Sequence, residues 1–184
     1  SRTSKAWDGL GRGRRIRVTD EDLEKVRREV PLITRLSGEY SAWNMRFRVG
    51  RKVFIPGMSG TNAEFGVMRN LNPTTGGRFV DDADVSHRRR VVFLGDKLKS
   101  DLFGVDEAVG REVVINGVPF VVIGVLTEKD QDSSYNNRDN DRANLPASTF
   151  KAMYNRSYVD NFVFQVAERD DAVTAKKEVI ASLA

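Results

Sequence analysis

Residues 109–126 read VGREVVINGVPFVVIGVL. Val113 and Ile115 stand before Asn116-Gly117, and Val118, Phe120 and Val122 follow it. β-Branched runs flanking Asn-Gly signal a hairpin, because a type I′ turn needs positive φ at both central residues. The stretch is therefore two antiparallel strands. Such a hairpin points away from a doubly wound parallel sheet, whose strands are joined by crossover helices.

The flanking sequence agrees. "RRVVFLG" (89–95) is a short apolar strand, and "DKLKSDLFG" (96–104) a short helix. Asp96 starts that helix, Leu98 and Leu102 are four apart, and Gly104 marks its end. "VTDEDLEKVRREVP" (18–31) predicts a helix capped by Thr19. Its acidic first turn, Asp20 to Asp22, suits the positive end of the helix dipole, and Pro31 stops it. "SAWNMRFRV" (41–49) alternates, which predicts Trp43, Met45, Phe47 and Val49 on one face and Ala42, Asn44, Arg46 and Arg48 on the other. "VGRK" then turns into "VFIPGM" (53–58), predicting a long hairpin. Thr61 and Glu64 suggest a capping box for a helix carrying Phe65 and Met68, closed by Pro73 and Gly76-Gly77. Residues 128–144 are almost wholly polar and read as an exposed loop. A strand end at Pro146, a short helix from Ser148, an alternating strand with Phe162, Phe164 and Val166, and a final amphipathic helix complete the chain. The expected fold class is α+β, with mixed, mainly antiparallel sheets.

The composition narrows the chemistry. The 184 residues are 40% hydrophobic and 30% charged, ordinary for a globular chain, and 10 Phe can fill a core. Cysteine is absent, which excludes disulfides and thiolate chemistry. No run of 18 apolar residues occurs, and no secretory signal is recognisable, so the chain is expected to be a soluble piece of a larger protein. The sole histidine, His87, sits in "SHRRRVVF" and reads as a surface residue at a strand entrance; a small hydrolase built on it is one alternative. The net charge of +4, with Arg12, Arg14 and Arg15 and then Arg88, Arg89 and Arg90 clustered, leaves a nucleic-acid-binding module as another. "GLGRG" (9–13) lacks the preceding strand and the following GK[ST] of a phosphate loop. Asp130, Asp132, Ser134 and Asp141 occupy positions 1, 3, 5 and 12 of a calcium-type loop, but Tyr135 replaces its glycine, and Asp141 is shorter than the usual Glu. Asp81-Asp82 and Asp170-Asp171 are expected at helix or turn starts, as caps. No catalytic, cofactor-binding or metal-binding residue is assigned.

A resemblance adds what residue chemistry leaves open. Gly77-Arg78-Phe79 before an acidic turn, the strand Val91 to Gly95, Leu102-Phe103-Gly104, Val109-Gly110 and the run Val113 to Val125 together resemble the periplasmic core domain of MacB-like and FtsX-like ABC transporter permeases. The similarity covers most of residues 14–166 and is strongest in the middle third. It implies two lobes, a porter-like lobe over 16–80 and 155–184 and an inserted lobe over 85–150, following a flexible membrane-proximal segment at 1–15. It implies an extracytoplasmic, periplasmic domain of an inner-membrane permease, without catalytic residues or cofactor. Such a domain would transmit ATP-driven movement to substrate or adaptor proteins. Its partners would be the permease's transmembrane helices, a cytoplasmic ATPase, a periplasmic adaptor and a second permease. Insertion between two membrane helices further implies that the ends near Ile16 and Ala184 lie on the same side.

The hairpin carries its own test. Valine resists the positive φ of a type I′ turn, so Gly117→Val should cost about 1–2 kcal/mol. An unchanged urea midpoint would argue against that turn.

Overall fold

The computed structural model describes residues 17–128 and 139–184. Among these, nine strands form one sheet in the order β3-β2-β6-β7-β5-β8-β4-β1-β9. The strands are β1 (Ile33–Ala42), β2 (Phe47–Val49), β3 (Lys52–Phe54), β4 (Gly57–Thr61), β5 (Val91–Leu94), β6 (Glu112–Ile115), β7 (Val118–Val125), β8 (Arg142–Pro146) and β9 (Asn161–Val166). The helices are α1 (Asp20–Glu29), α2 (Ala63–Met68), α3 (Asp82–Ser86), α4 (Asp96–Phe103), α5 (Ala147–Met153) and α6 (Ala172–Leu183). The sheet is mostly antiparallel, with β4–β8 and β5–β7 parallel. The α+β class with mainly antiparallel pairing is thus observed.

The hairpin at 109–126 forms as its sequence dictates. Val113 pairs with Phe120 and Ile115 with Val118. Asn116 has φ 48° and Gly117 φ 81°, so both turn residues adopt the left-handed conformation. The Asn116 side chain also accepts from the Arg46 amide at 2.8 Å, fixing the turn to the start of β2. α1 follows its capping signal: Thr19 and Asp22 exchange side-chain-to-backbone bonds, and Leu23 and Val26 are buried. α4 buries Leu98, Leu102 and Phe103 beneath β2, β6 and β7.

Several elements depart from expectation. The strand expected over 41–49 is broken: β1 ends at Ala42, the chain is irregular to Arg46, and β2 starts at Phe47. Met45 and Phe47 still point inward, but Trp43 is 63% exposed and Ala42 is buried. The irregular residues reset the alternation between the two strands. The long hairpin is also divided, since Pro56 separates β3 from β4, which pair with different neighbours. Thr61 belongs to β4, and Asn62 takes the N-terminal position of α2 without a side-chain cap. Glu64 does not close a capping box; it accepts the Leu36 amide at 2.8 Å and pairs with Arg27. The polar run 128–144 is not all loop, because β8 begins at Arg142 between β5 and β4. Asp81 caps α3 as expected, while Asp171 precedes α6 without a capping bond.

One side of the sheet carries a continuous apolar layer from Tyr40 and Phe150 to Phe47, Phe120 and Val122. α1 and α6 close its β1–β9 end with Val26, Leu36 and Val179. On the opposite side Phe65, Leu71, Phe93 and Leu126 form a smaller cluster. The β2–β3 hairpin joins β6, so residues 47–54 extend the sheet beside 112–115 and lie far from 33–42.

Phe103 is only 7% exposed at the end of α4. Phe103→Ala should therefore destabilise the domain by about 3–5 kcal/mol. An unchanged melting temperature would refute that packing role.

Candidate functional site

A cleft of about 400 Å³ lies between α1, β1 and α5. Asp20, Glu24 and Arg27 enter it from α1, Leu36 and Gly38 from β1, and Ser148 and Lys151 from α5. The charges are tied to the fold. Asp20 accepts from the Tyr40 hydroxyl at 3.0 Å and from Lys151 at 2.5 Å. Burial, reinforced by the Asp20 carboxylate, pushes the Tyr40 phenol well above its ordinary range, so it remains a donor. Arg27 spans the Glu64 carboxylate and the Leu36 carbonyl. Ser148 donates to the Val85 carbonyl at 2.5 Å, which joins α5 to α3. These bonds lock α1, β1, α3 and α5 together.

A second polar centre lies at α3. Asp84 is fully buried, and its carboxylate receives Arg78 in a bidentate pair at 2.6 and 3.0 Å. It also accepts from Arg89 at 3.3 Å and from the Asp81 amide at 2.9 Å. Burial raises the Asp84 pKa, but the Arg78 hydrogen bonds, the Asp81 amide and the two guanidinium groups outweigh it and hold the carboxyl at about 2. Phe79 meets the Phe93 ring edge-on, with centroids 4.9 Å apart. The sequence mark "GRF" is therefore a clamp: Arg78 binds the acidic turn, and Phe79 anchors the loop on the sheet.

The residues considered in the sequence fall as follows. His87 is exposed at the end of α3, with Nδ1 2.9 Å from the Ala83 carbonyl oxygen. A hydrolase built on it would need a deep polar cleft, which this position does not give. Of the arginine run, Arg89 is engaged by Asp84, and Arg88 has φ 48° at the rim of the cleft. Arg12, Arg14, Arg15, the "GLGRG" stretch, Asp130, Asp132, Ser134 and Tyr135 lie outside the described residues. Asp141 faces Lys97 at 3.4 Å. Among the described residues, no acidic or histidine cluster has a metal-binding arrangement. No helix among them is long and apolar enough to cross a membrane. Ile16 lies outside the described residues, but Val18 and Leu183 belong to the same apolar cluster, so both ends of the described fold meet in the α1–α6 layer.

Comparison with known proteins turns this geometry into a family assignment. The profile of the MacB-like periplasmic core domain matches residues 2–182. The chain belongs to that family. It is similar to a macrolide export ATP-binding/permease protein MacB of Chlorobium luteolum, 27% identical over 177 residues, covering 94% of this chain and 26% of the relative. It is also similar to a pyoverdine export ATP-binding/permease protein of Pseudomonas aeruginosa, 35% identical over 91 residues, covering 50% of this chain and 13% of the relative. The chain thus spans about a quarter or less of the length of these relatives. The periplasmic region of MacB from Actinobacillus actinomycetemcomitans has the same fold, with TM-score 0.78 at 22% identity, covering 95% of this chain and 79% of that one. The extracellular domain of the transporter YknZ from Gram-positive bacteria gives 0.77 at 21% identity, covering 92% and 84%. The chain is an extracytoplasmic domain of a MacB-like ABC permease.

The Asp84 clamp has a pH signature. Its folded pKa of about 2 lies below the ordinary 3.8. Its stabilisation is present in full above the ordinary value and fades as pH falls from about 4 towards 2. Asp84→Asn should cost about 2–3 kcal/mol at neutral pH, less than for a fully buried pair, because Arg78 stays partly in water. The gap between the two urea-unfolding curves should narrow below pH ~4. A gap that stays constant down to pH ~2 would overturn the assignment.

Proposed function

We propose that this domain relays movement from a permease's membrane helices to protein or substrate outside the cytoplasmic membrane. The membrane helices and a cytoplasmic ATPase would be supplied by the rest of the transporter, and a second permease and an adaptor would complete it. In a bacterium with two membranes the domain would lie in the periplasm. The family match over residues 2–182 carries this reading. The arrangement of the fold supports it, because Val18 and Leu183 share one layer while a single sheet extends away from that layer. The bonded charges of the α1–α5 cleft suit a part that moves as a body. In this proposal ATP hydrolysis belongs elsewhere, and the domain contributes shape and stiffness.

These 184 residues contain no cysteine. Val105 is 100% exposed, so Val105→Cys in the full-length gene product places one reactive thiol on this domain. A membrane-impermeant maleimide should label it in intact cells. Spin labels on the same cysteine in two copies should change separation when ATP binds. Labelling only after lysis, or a separation indifferent to ATP, would refute the proposal.

A further inference from the structure

The end of the sheet farthest from the chain ends has an uncovered face. Val53, Arg48, Val114 and Pro119 lie in one row across β3, β2, β6 and β7, as the registers dictate. Their neighbours Phe47, Ile115 and Val118 turn to the opposite face, where α4 packs. Among the described residues, no helix covers the Val53 row. Val53 is 40% and Val121 46% exposed, and a depression of about 290 Å³ is framed by Arg46, Arg48, Val53, Val114, Asn116 and Gly117.

The charge of this corner is one-sided. Arg46, Arg48, Arg51 and Lys52 have no ion-pair partner among the described residues, whereas Arg111 beside them is taken by Asp106 at 3.9 Å. Arg51 and Lys52 line a separate depression with Asp106 and Glu112, on the side where α4 packs, whereas no carboxylate among the described residues frames the depression at Arg46 and Arg48. β3 is also the last strand of the sheet. Val49 and Lys52 flank the two-residue turn, so they form the hydrogen-bonded pair, and Arg48–Val53 is the non-bonded pair. The N–H and C=O of Val53 therefore point out from the open edge.

We propose that β3 and the Arg48–Val53 face are a docking surface for an extended acidic segment of a partner protein. The segment would add a strand beside β3, bonding to the Val53 backbone and laying its carboxylates against Arg46 and Arg48 on the Val53 face. Main-chain bonds would give affinity, and alternate side chains specificity. A second copy of this chain fits poorly, because pairing β3 with itself about Val53 would bring the Arg46 and Arg48 of both copies onto one sheet face, where like charges repel. A membrane surface fits poorly on position: eight strand spacings separate β3 from β9 and the layer holding the chain ends, roughly 38 Å at ~4.8 Å each. That last argument alone rests on the relay function proposed above, which sets the chain ends at the membrane.

The probe is a synthetic octapeptide alternating glutamate and valine, titrated into the isotope-labelled chain. Amide shifts should concentrate in residues 46–55 and near Val114, and weaken several-fold as salt rises from ~0.1 to ~0.5 M. Arg46→Glu with Arg48→Glu should weaken binding about tenfold or more, at an unchanged melting temperature. Val53→Pro, which removes an outward N–H and no bond to β2, should weaken it as well. A proline-interrupted peptide of equal charge should not bind. Absence of shifts at 46–55, equal binding of the interrupted peptide, concentration-dependent dimerisation through β3, or binding to phosphatidylglycerol vesicles in place of the peptide would each overturn the proposal. Failure of the thiol-labelling experiment would leave the peptide result intact, so the two readings fail separately.

Discussion

The fold depends on the parallel pairing of β4 with β8. Gly57 through Thr61 align with Arg142 through Pro146 in the middle of the sheet. Without that ladder the sheet would separate into β9-β1-β4 and β8-β5-β7-β6-β2-β3. A parallel pair needs a long connection between its strands, and here the whole of α2 to β7 lies in it. Side chains reinforce the join: Arg142 donates to Ser59 at 2.8 Å, and Ser59 donates to Glu39 at 2.9 Å. Above it, Phe150 of α5 sits directly on Gly60, where a Cβ would come within 2.4 Å of the Phe150 Cβ. That close approach seats α5 on the seam, and Tyr40 and Tyr154 both stack with Phe150.

The polar centres follow from this join. α5 leaves β8 directly, so its Lys151 arrives opposite Asp20 of α1, and its Ser148 opposite the end of α3. Thr149 donates to the Arg89 carbonyl at 2.7 Å from the same helix. The Arg78–Asp84 clamp then fixes the loop that leads into β5. Burying one carboxylate is costly, and two guanidinium groups with a backbone amide offset the cost here. The result is a set of charges that specify how helices meet.

What the sequence revealed follows from where its signals are local. The hairpin at 109–126, α1, α4 and α6 carry their own periodicity, caps or turn residues, and all form as read. β8 carries none of these. "RANLP" is short and follows a polar run, and it becomes a strand only because β4 and β5 flank it. β1 was hidden for another reason. Ser37, Gly38 and Ser41 blur its alternation, yet both serines are buried, because α1, α2 and α5 pack against β1. At Gly38 the neighbouring Val159 and Leu23 side chains take the space of a Cβ. Trp43 misled in the opposite direction, since a tryptophan in step with Met45 and Phe47 looks interior. It stands outside over the Arg142 guanidinium instead. The cations of the β2–β3 hairpin are visible as residues, but that Arg46 and Arg48 frame a depression without a carboxylate among the described residues emerges only once β2 joins β6.

Continuity of the sheet bears on how such a domain could act. Two lobes joined by a flexible linker would absorb a displacement at their hinge. Here the join is a five-residue ladder with α5 packed across it, and packed interiors transmit strain because they compress little. A displacement applied at the α1–α6 layer, where Val18 and Leu183 meet, would therefore reach the β2–β3 hairpin with little loss. Stiffness along the sheet and an exposed, charged strand at its far end are complementary features. In the proposed relay the first would deliver motion to a place, and the second would give that place something to hold.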